Sequence, residues 1–288
     1  MKRLILAGAL LVAFAAQVAP ASAAPTGEFA RFAQCPMSNP AVNACVYAET
    51  SSGSFKMGSK TVPVKYPVVL QGGATIKETI AETLPLYAAA NGQTLTKAAQ
   101  PVPGGLTGIV APSWWPTILK NLFNETINNG FTGVTATVEL AAPASSVKLN
   151  LLSILGGFGT GLVLPVKVKL DNPFLGSSCY IGSNSSPIPL NFTSGTTSPP
   201  APNTPITGSP GEFGAIEEGK ITVDKNNKLV DNSFATPGAN GCGGFLFSWL
   251  VDPFVNSIVG VPSAAGTNAA ILEGTTYLTG PANVKESE

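Results

Sequence analysis

The sequence predicts a mainly β protein: an antiparallel sandwich or distorted barrel with one or two amphipathic helices packed on it. Three observations point there. Residues 133–140 set Val134, Ala136, Val138 and Leu140 against Thr135, Thr137 and Glu139, the two-residue period of a half-buried strand. Residues 162–170 repeat the pattern with Leu164, Val166, Val168 and Leu170 on one side. Clusters of Gly, Ser and Asn punctuate the chain at hairpin spacings, and regular βαβ alternation is missing.

The elements follow in chain order. Lys2 and Arg3 precede an apolar run over residues 4–18, Pro20 ends it, and Ala21-Ser22-Ala23 forms a small-x-small cleavage site. Those three parts in that order predict a signal peptide over residues 1–23 and a single secreted β-rich domain over residues 24–288. A membrane anchor would need about 20 apolar residues, and no later stretch supplies them without interruption. Residues 245–261 come nearest but contain Asp252 and Pro253. Residue types around 42–50, 55–57 and 62–70 read as strands, with Ser51-Ser52-Gly53 as a turn and Val62, Val64, Tyr66 and Val68 alternating. Residues 75–87 are ambiguous, because Thr75 and Glu78 can form a capping box while Pro85 opposes a long helix.

Residues 113–128 give the clearest helix. Ser113 can cap it, Trp115, Ile118, Leu119, Leu122, Phe123 and Ile127 recur at three- and four-residue steps, and Asn129-Gly130 ends it. Trp115, Ile118, Leu122 and Phe123 are therefore expected to pack on the sheet, so that Leu122→Ala costs about 2–5 kcal/mol. The competing reading makes them a lid over a lipid cavity. A short helix is expected near residues 149–155, and another over 245–250 and 254–259 with Pro253 as a kink or start. Residues 187–211 hold seven prolines among Ser, Thr and Gly and read as a long loop. Residues 221–223 and 229–230 read as a hairpin turning at Lys225 to Asn227, and residues 275–278 as a last strand.

The four cysteines allow three pairings. Cys35–Cys45 with Cys179–Cys242 is the expected one, since any other leaves the local pair unused. By loop entropy the first would contribute about 3 and the second about 4 kcal/mol. Zinc is disfavoured by the lack of histidine and of CxxC spacing, and no cofactor is expected.

Composition excludes several functions. Charged residues make up 11% of the chain. Without Lys2 and Arg3, 14 basic side chains face 16 acidic ones, and no Lys/Arg cluster exists to neutralise phosphates, so nucleic acid is not an expected partner. With no histidine, Ser-His-Asp and Cys-His catalysis is ruled out. There is no GxSxG or Walker sequence. Carboxylates such as Glu139, Asp171, Glu217, Glu218, Asp224 and Asp231 could pair as in a glycosidase, but any extracellular domain has as many. Asp224, Asn226 and Asp231 fail the calcium-loop pattern at Lys228 and Leu229.

The segments VKVKLDNPFLGSSCYIG (166–182), PLNFTSGTTSPP (189–200), QCPMSNPAVNAC (34–45), VPGGL (102–106) and GVTATVEL (133–140) resemble an uncharacterised family of secreted actinobacterial proteins. The resemblance spans nearly the whole mature chain and implies export and a common fold, with no catalytic residues to carry over. The expectation is a non-enzymatic cell-surface or extracellular protein acting by binding or as a structural element. The alternatives are a binder of apolar or lipid ligands of the cell envelope and, last, a hydrolase using carboxylates or Ser-Lys.

Overall fold

A computed structural model describes residues 23–76, 83–128 and 131–288. The signal-peptide reading covers residues 1–23, of which 1–22 lie outside the described residues, as do Glu78 of the capping box and the Asn129-Gly130 stop.

In chain order the strands are β1 (Ala44–Met57), β2 (Lys60–Pro63), β3 (Val68–Ala74), β4 (Leu84–Tyr87), β5 (Gln100–Pro101), β6 (Thr135–Leu140), β7 (Lys148–Leu149), β8 (Leu162–Asp171), β9 (Tyr180–Ile181), β10 (Ile188–Phe192), β11 (Glu212–Ile216), β12 (Ile221–Asp231), β13 (Ala239–Asn240) and β14 (Ala269–Thr279). The α-helices are α1 (Thr117–Phe123), α2 (Leu151–Gly156), α3 (Gly244–Val259) and α4 (Pro281–Glu286). The described strands form one antiparallel sheet, which does not close into a barrel. Its path runs β11-β12-β14-β1-β3-β4-β7-β8-β6-β5, with β10 and β9 also on β8, β13 on β9 and β2 on β1.

Short β4 is the corner of this path. It pairs β3 through Gly73↔Tyr87 and β7 through Leu84↔Leu149, which passes the sheet from one layer to the other. The layers meet on a common core in which Val46 and Leu70 join Leu164, Val166, Leu190 and Phe192. Strict alternation along β8 buries Leu162, Leu164, Val166, Val168 and Leu170. A second, smaller core lies at the other face of β12, where Ile221 and Val223 meet Phe29, Phe32, Cys45 and Val284. There the two ends of the described chain come together: Thr26 donates its hydroxyl to the Ser287 carbonyl at 2.8 Å.

Two expected turns are instead bulges in long strands. Ser51-Ser52-Gly53 sits within β1, which shifts register on β14 between Thr50 and Ser52. Lys225 to Asn227 sits within β12, which shifts on β14 between Asp224 and Asn227, with Asn226 at φ 57°. Both irregularities flank Gly274, where a Cβ would come within 1.9 Å of the Glu49 carbonyl oxygen, so only glycine allows this close passage of strands. Locally, Ser, Gly and Asn signal a turn; the pairing with β14, remote in sequence, keeps both strands running. Glu217 and Glu218 do form a turn, between β11 and β12, both at positive φ rather than in a strand.

The expected loop over residues 187–211 begins as a strand. In β10, Ile188, Leu190 and Phe192 point inward, and Pro189 stands opposite Pro165 of β8, a pair in which neither residue has an N–H to donate. Residues 84–87 form β4 rather than a helix, and α2 begins as expected, with Asn150 accepting the Ser153 N–H at 3.0 Å.

Candidate functional site: an apolar face on two helices

The segment expected to pack on the sheet largely does not. Pro116 moves the helix start: a residue before proline is pushed out of the helical region, so α1 begins at Thr117 and Ser113 is no cap. The helix continues as a π-helical turn over Asn124–Asn128. Of the four expected core residues, Trp115 and Phe123 are half-buried, their rings edge-to-face with centroids 5.6 Å apart. Ile118 is 81% exposed and Leu122 59%, so neither faces the sheet. Ile109, Val110, Trp114 and Leu119 of the same excursion are exposed as well.

Helix α3 repeats this arrangement more strongly. Its inward stripe is Val251, Asp252, Val255, Asn256 and Val259, at helical steps. Asp252 accepts the N–H groups of Gly241 at 3.2 Å and Cys242 at 2.7 Å, and Asn256 accepts that of Ala239 at 2.7 Å. The polar groups of the helix thus satisfy the backbone of the preceding loop. Its outward stripe is Phe245, Leu246, Phe247, Trp249, Leu250 and Phe254, with Phe245 98% and Trp249 75% exposed. Gly243 and Gly244, at φ 77° and 67°, make the left-handed elbow from which the helix springs, and a Cβ at Gly243 would strike Val251.

The two segments are rooted together. Lys60 Nζ donates to the Gly108 carbonyl at 3.3 Å beside Ile258 of α3. Phe254 and Ile258 close a hollow of about 40 Å³ with Val102 and Leu106. At the other end of α3, Gly243 N–H donates to Leu175 at 2.7 Å, and the neighbouring Phe174 packs its ring edge-to-face on Phe131, where the α1 excursion returns. The structure joins Cys179 to Cys242 (Cα–Cα 4.0 Å), tying the α3 root to the start of β9 beside β8, and Cys35 to Cys45 (Cα–Cα 5.4 Å), tying the small core. These are the expected pairs.

At roughly 150–250 Å² per large side chain, the twelve exposed residues of the two segments present on the order of 1,000 Å² of apolar surface. The largest patch on an ordinary monomer is about 300–600 Å². Among the described residues, the hollows inside the molecule are small. The hollow between the layers, lined by Phe55, Leu70, Val138, Leu164 and Leu272 among others, measures about 60 Å³. Ligand cavities run to about 300–1,000 Å³, and neither this hollow nor the one of about 40 Å³ beneath Phe254 and Ile258 reaches that size. Hollows of about 500 and 460 Å³ are open at the surface.

Four of the candidate carboxylates, Glu139, Asp171, Asp224 and Asp231, are held apart. Lys97 holds Glu139 at 3.0 Å and Lys169 holds Asp171 at 2.6 Å. Asp224 and Asp231 are both buried on β12, but their partners Thr276 and Ala270 lie six residues apart on β14, about 20 Å at strand rise. Glycosidase carboxylates sit about 5–10 Å apart. Asp231 accepts N–H groups from Asn191 and Ser233, yet burial still pushes its carboxyl above the ordinary range. Asp224 is 5% exposed, and its Oδ1 meets no donor among the described residues. Burial raises its carboxyl from 3.8 to about 6, with the Asn227 amide pulling the other way.

A pH dependence follows. Between about pH 4 and pH 6 the folded chain keeps a proton that the unfolded chain releases, so this group's contribution is fully present at low pH and is lost as pH rises through about 6. Asp224→Asn is expected to remove this group's share of the slope, leaving that of Asp231, and to raise stability at neutral pH by about 2–3 kcal/mol, read from urea unfolding across the range.

No group of three or more metal-ligating side chains occurs among the described residues, and no described helix is long and apolar enough to cross a membrane. Comparison with known proteins finds no matching family model, no matching curated protein and no matching solved structure.

Proposed function

We propose that this is an exported, non-catalytic protein of the cell envelope or medium that works by holding an apolar partner on the outer face of α1 and α3. The observation that carries this reading is that α3 is apolar on both sides: Val251, Val255 and Val259 pack inward beside its carboxylate and its Asn256 amide, while its aromatic side chains still point outward. Helices that merely cover a sheet carry charged and polar residues on the outward side. Export is supported by the charged, apolar and small-residue order of residues 1–23, and two disulfides fit an oxidising compartment. The interior, with hollows of about 60 and 40 Å³, favours binding outside rather than inside.

The test combines Leu122→Ala and Leu250→Ala. Both side chains are exposed, so the double variant is expected to unfold within about 0.5 kcal/mol of the parent per site. It should bind a fluorescent apolar probe markedly more weakly. A loss of several kcal/mol in stability would return these residues to the core, and unchanged probe binding would remove the face as the binding surface.

A further inference from the structure

The chemistry of this face names its partner more narrowly, on the footing of the apolar-binding reading above. We propose that α3 and the α1 segment dock on the uncharged surface of a lipid layer, α3 lying along it with its aromatic stripe in the hydrocarbon boundary.

Charge is the first argument. Within α3 the sole ionisable side chain is Asp252, which is turned inward onto the Gly241 and Cys242 N–H groups. The α1 segment adds Lys120, which is half-buried and donates to the Ser113 carbonyl, and Glu125. Anionic headgroups are recognised by clusters of Lys and Arg, and this face has none. Its complement is a neutral surface.

Hydrogen bonding is the second. A protein partner of this area would find about one hydrogen bond per 100–200 Å². Over residues 245–250 the only side-chain polar groups are the Ser248 hydroxyl and the Trp249 indole N–H. Hydrocarbon asks for no such bonds.

Tryptophan is the third. The chain has three, Trp114, Trp115 and Trp249, and all lie on these two segments. Their amphipathic rings favour the boundary between headgroups and acyl chains. Length fixes the orientation: the 16 residues of α3 extend about 24 Å, short of the roughly 30 Å hydrocarbon core, so the helix lies flat. The rest of the molecule suits that pose. The C-terminal end of α3 sits at the β1–β2 hairpin, where Ser59 N–H donates to Val259. The two ends of the described chain meet beside Cys45, twelve residues back along β1 and about 40 Å away.

The experiment is flotation of the exported chain with phosphatidylcholine vesicles, with and without phosphatidylglycerol, at low and high salt, alongside sedimentation of the free protein. The expected result is binding to the neutral vesicles that salt does not weaken, with tryptophan emission shifted to the blue. Phe245→Ser with Trp249→Ser should weaken it about a hundred-fold while leaving the unfolding midpoint in place. Binding that needs phosphatidylglycerol and disappears in salt overturns the proposal. So does a dimer that the same two substitutions dissociate, with no vesicle binding; that outcome leaves an apolar-binding face and gives it a second copy as partner. A monomer that binds neither vesicles nor apolar probe overturns both readings.

Discussion

Replacing Cys179 and Cys242 together by alanine is expected to cost about 2–5 kcal/mol, the larger of the two disulfide losses. This bond closes a span of 63 residues, against 10 for Cys35–Cys45, and the unfolded chain regains entropy with the length of the released loop. The native state changes in one place above all. Cys242 precedes the Gly243-Gly244 elbow of α3, and its N–H is the donor that Asp252 accepts. With the bond gone, the helix is left on the short stripe of Val251, Val255 and Val259. Denaturant unfolding without reductant measures the global loss. Amide exchange should show α3 opening before β8 does; an α3 protected as well as β8 would mean that the helix is held by packing rather than by its root.

Phe192→Ala is expected to cost about 3–5 kcal/mol. The side chain is fully buried at the end of β10, opposite Leu162 of β8, and its carbonyl accepts the Gly161 N–H at 2.8 Å. Its ring fills the main core where the sheet layers meet, and β8, on which β10 lies, is laddered on its other side to β6 and β7, which leaves little freedom to collapse into the space. Urea unfolding at constant m-value checks the figure; a cost below about 1 kcal/mol would show a core that repacks readily.

The sequence announced its regular strands well and its bulges poorly. In β8, buried and half-exposed residues alternate without interruption, because one face meets the core and the other carries Lys167 and Lys169. Period-two reasoning reads such a strand directly. In β1 and β12 the same reasoning stopped at Ser51-Gly53 and at Lys225-Asn227, where local residue types favour turns. What overrides them is pairing to β14 around Gly274, more than 200 residues from β1, and no local window contains it.

The site was half legible. Trp115 and Phe123 turn toward the molecule as their spacing suggests, while Ile118 and Leu122 at equally regular steps turn away. Hydrophobic period shows that a helix has a face and does not say what covers it. Pro116, which shortens α1, was a readable signal. In α3 apolar residues occupy nearly every position, so periodicity is silent. The informative residues there are the polar ones: Asp252 and Asn256, four apart and in step with Val251, Val255 and Val259, mark the side that meets backbone N–H groups and leave the aromatics outside.

Because all three tryptophans lie in the two segments, Trp114 and Trp249 on their exposed side and Trp115 half-buried beneath, tryptophan emission of the free protein is dominated by this face. Collisional quenching by iodide therefore tests most directly whether the face stands in solvent. Emission at long wavelength, with most of it quenched at low iodide and no change on dilution, is the predicted result, Trp114 and Trp249 being 79% and 75% exposed. Blue-shifted emission that iodide does not reach in a dilute monomer would mean that α1 and α3 are packed against the protein, and would contradict the account.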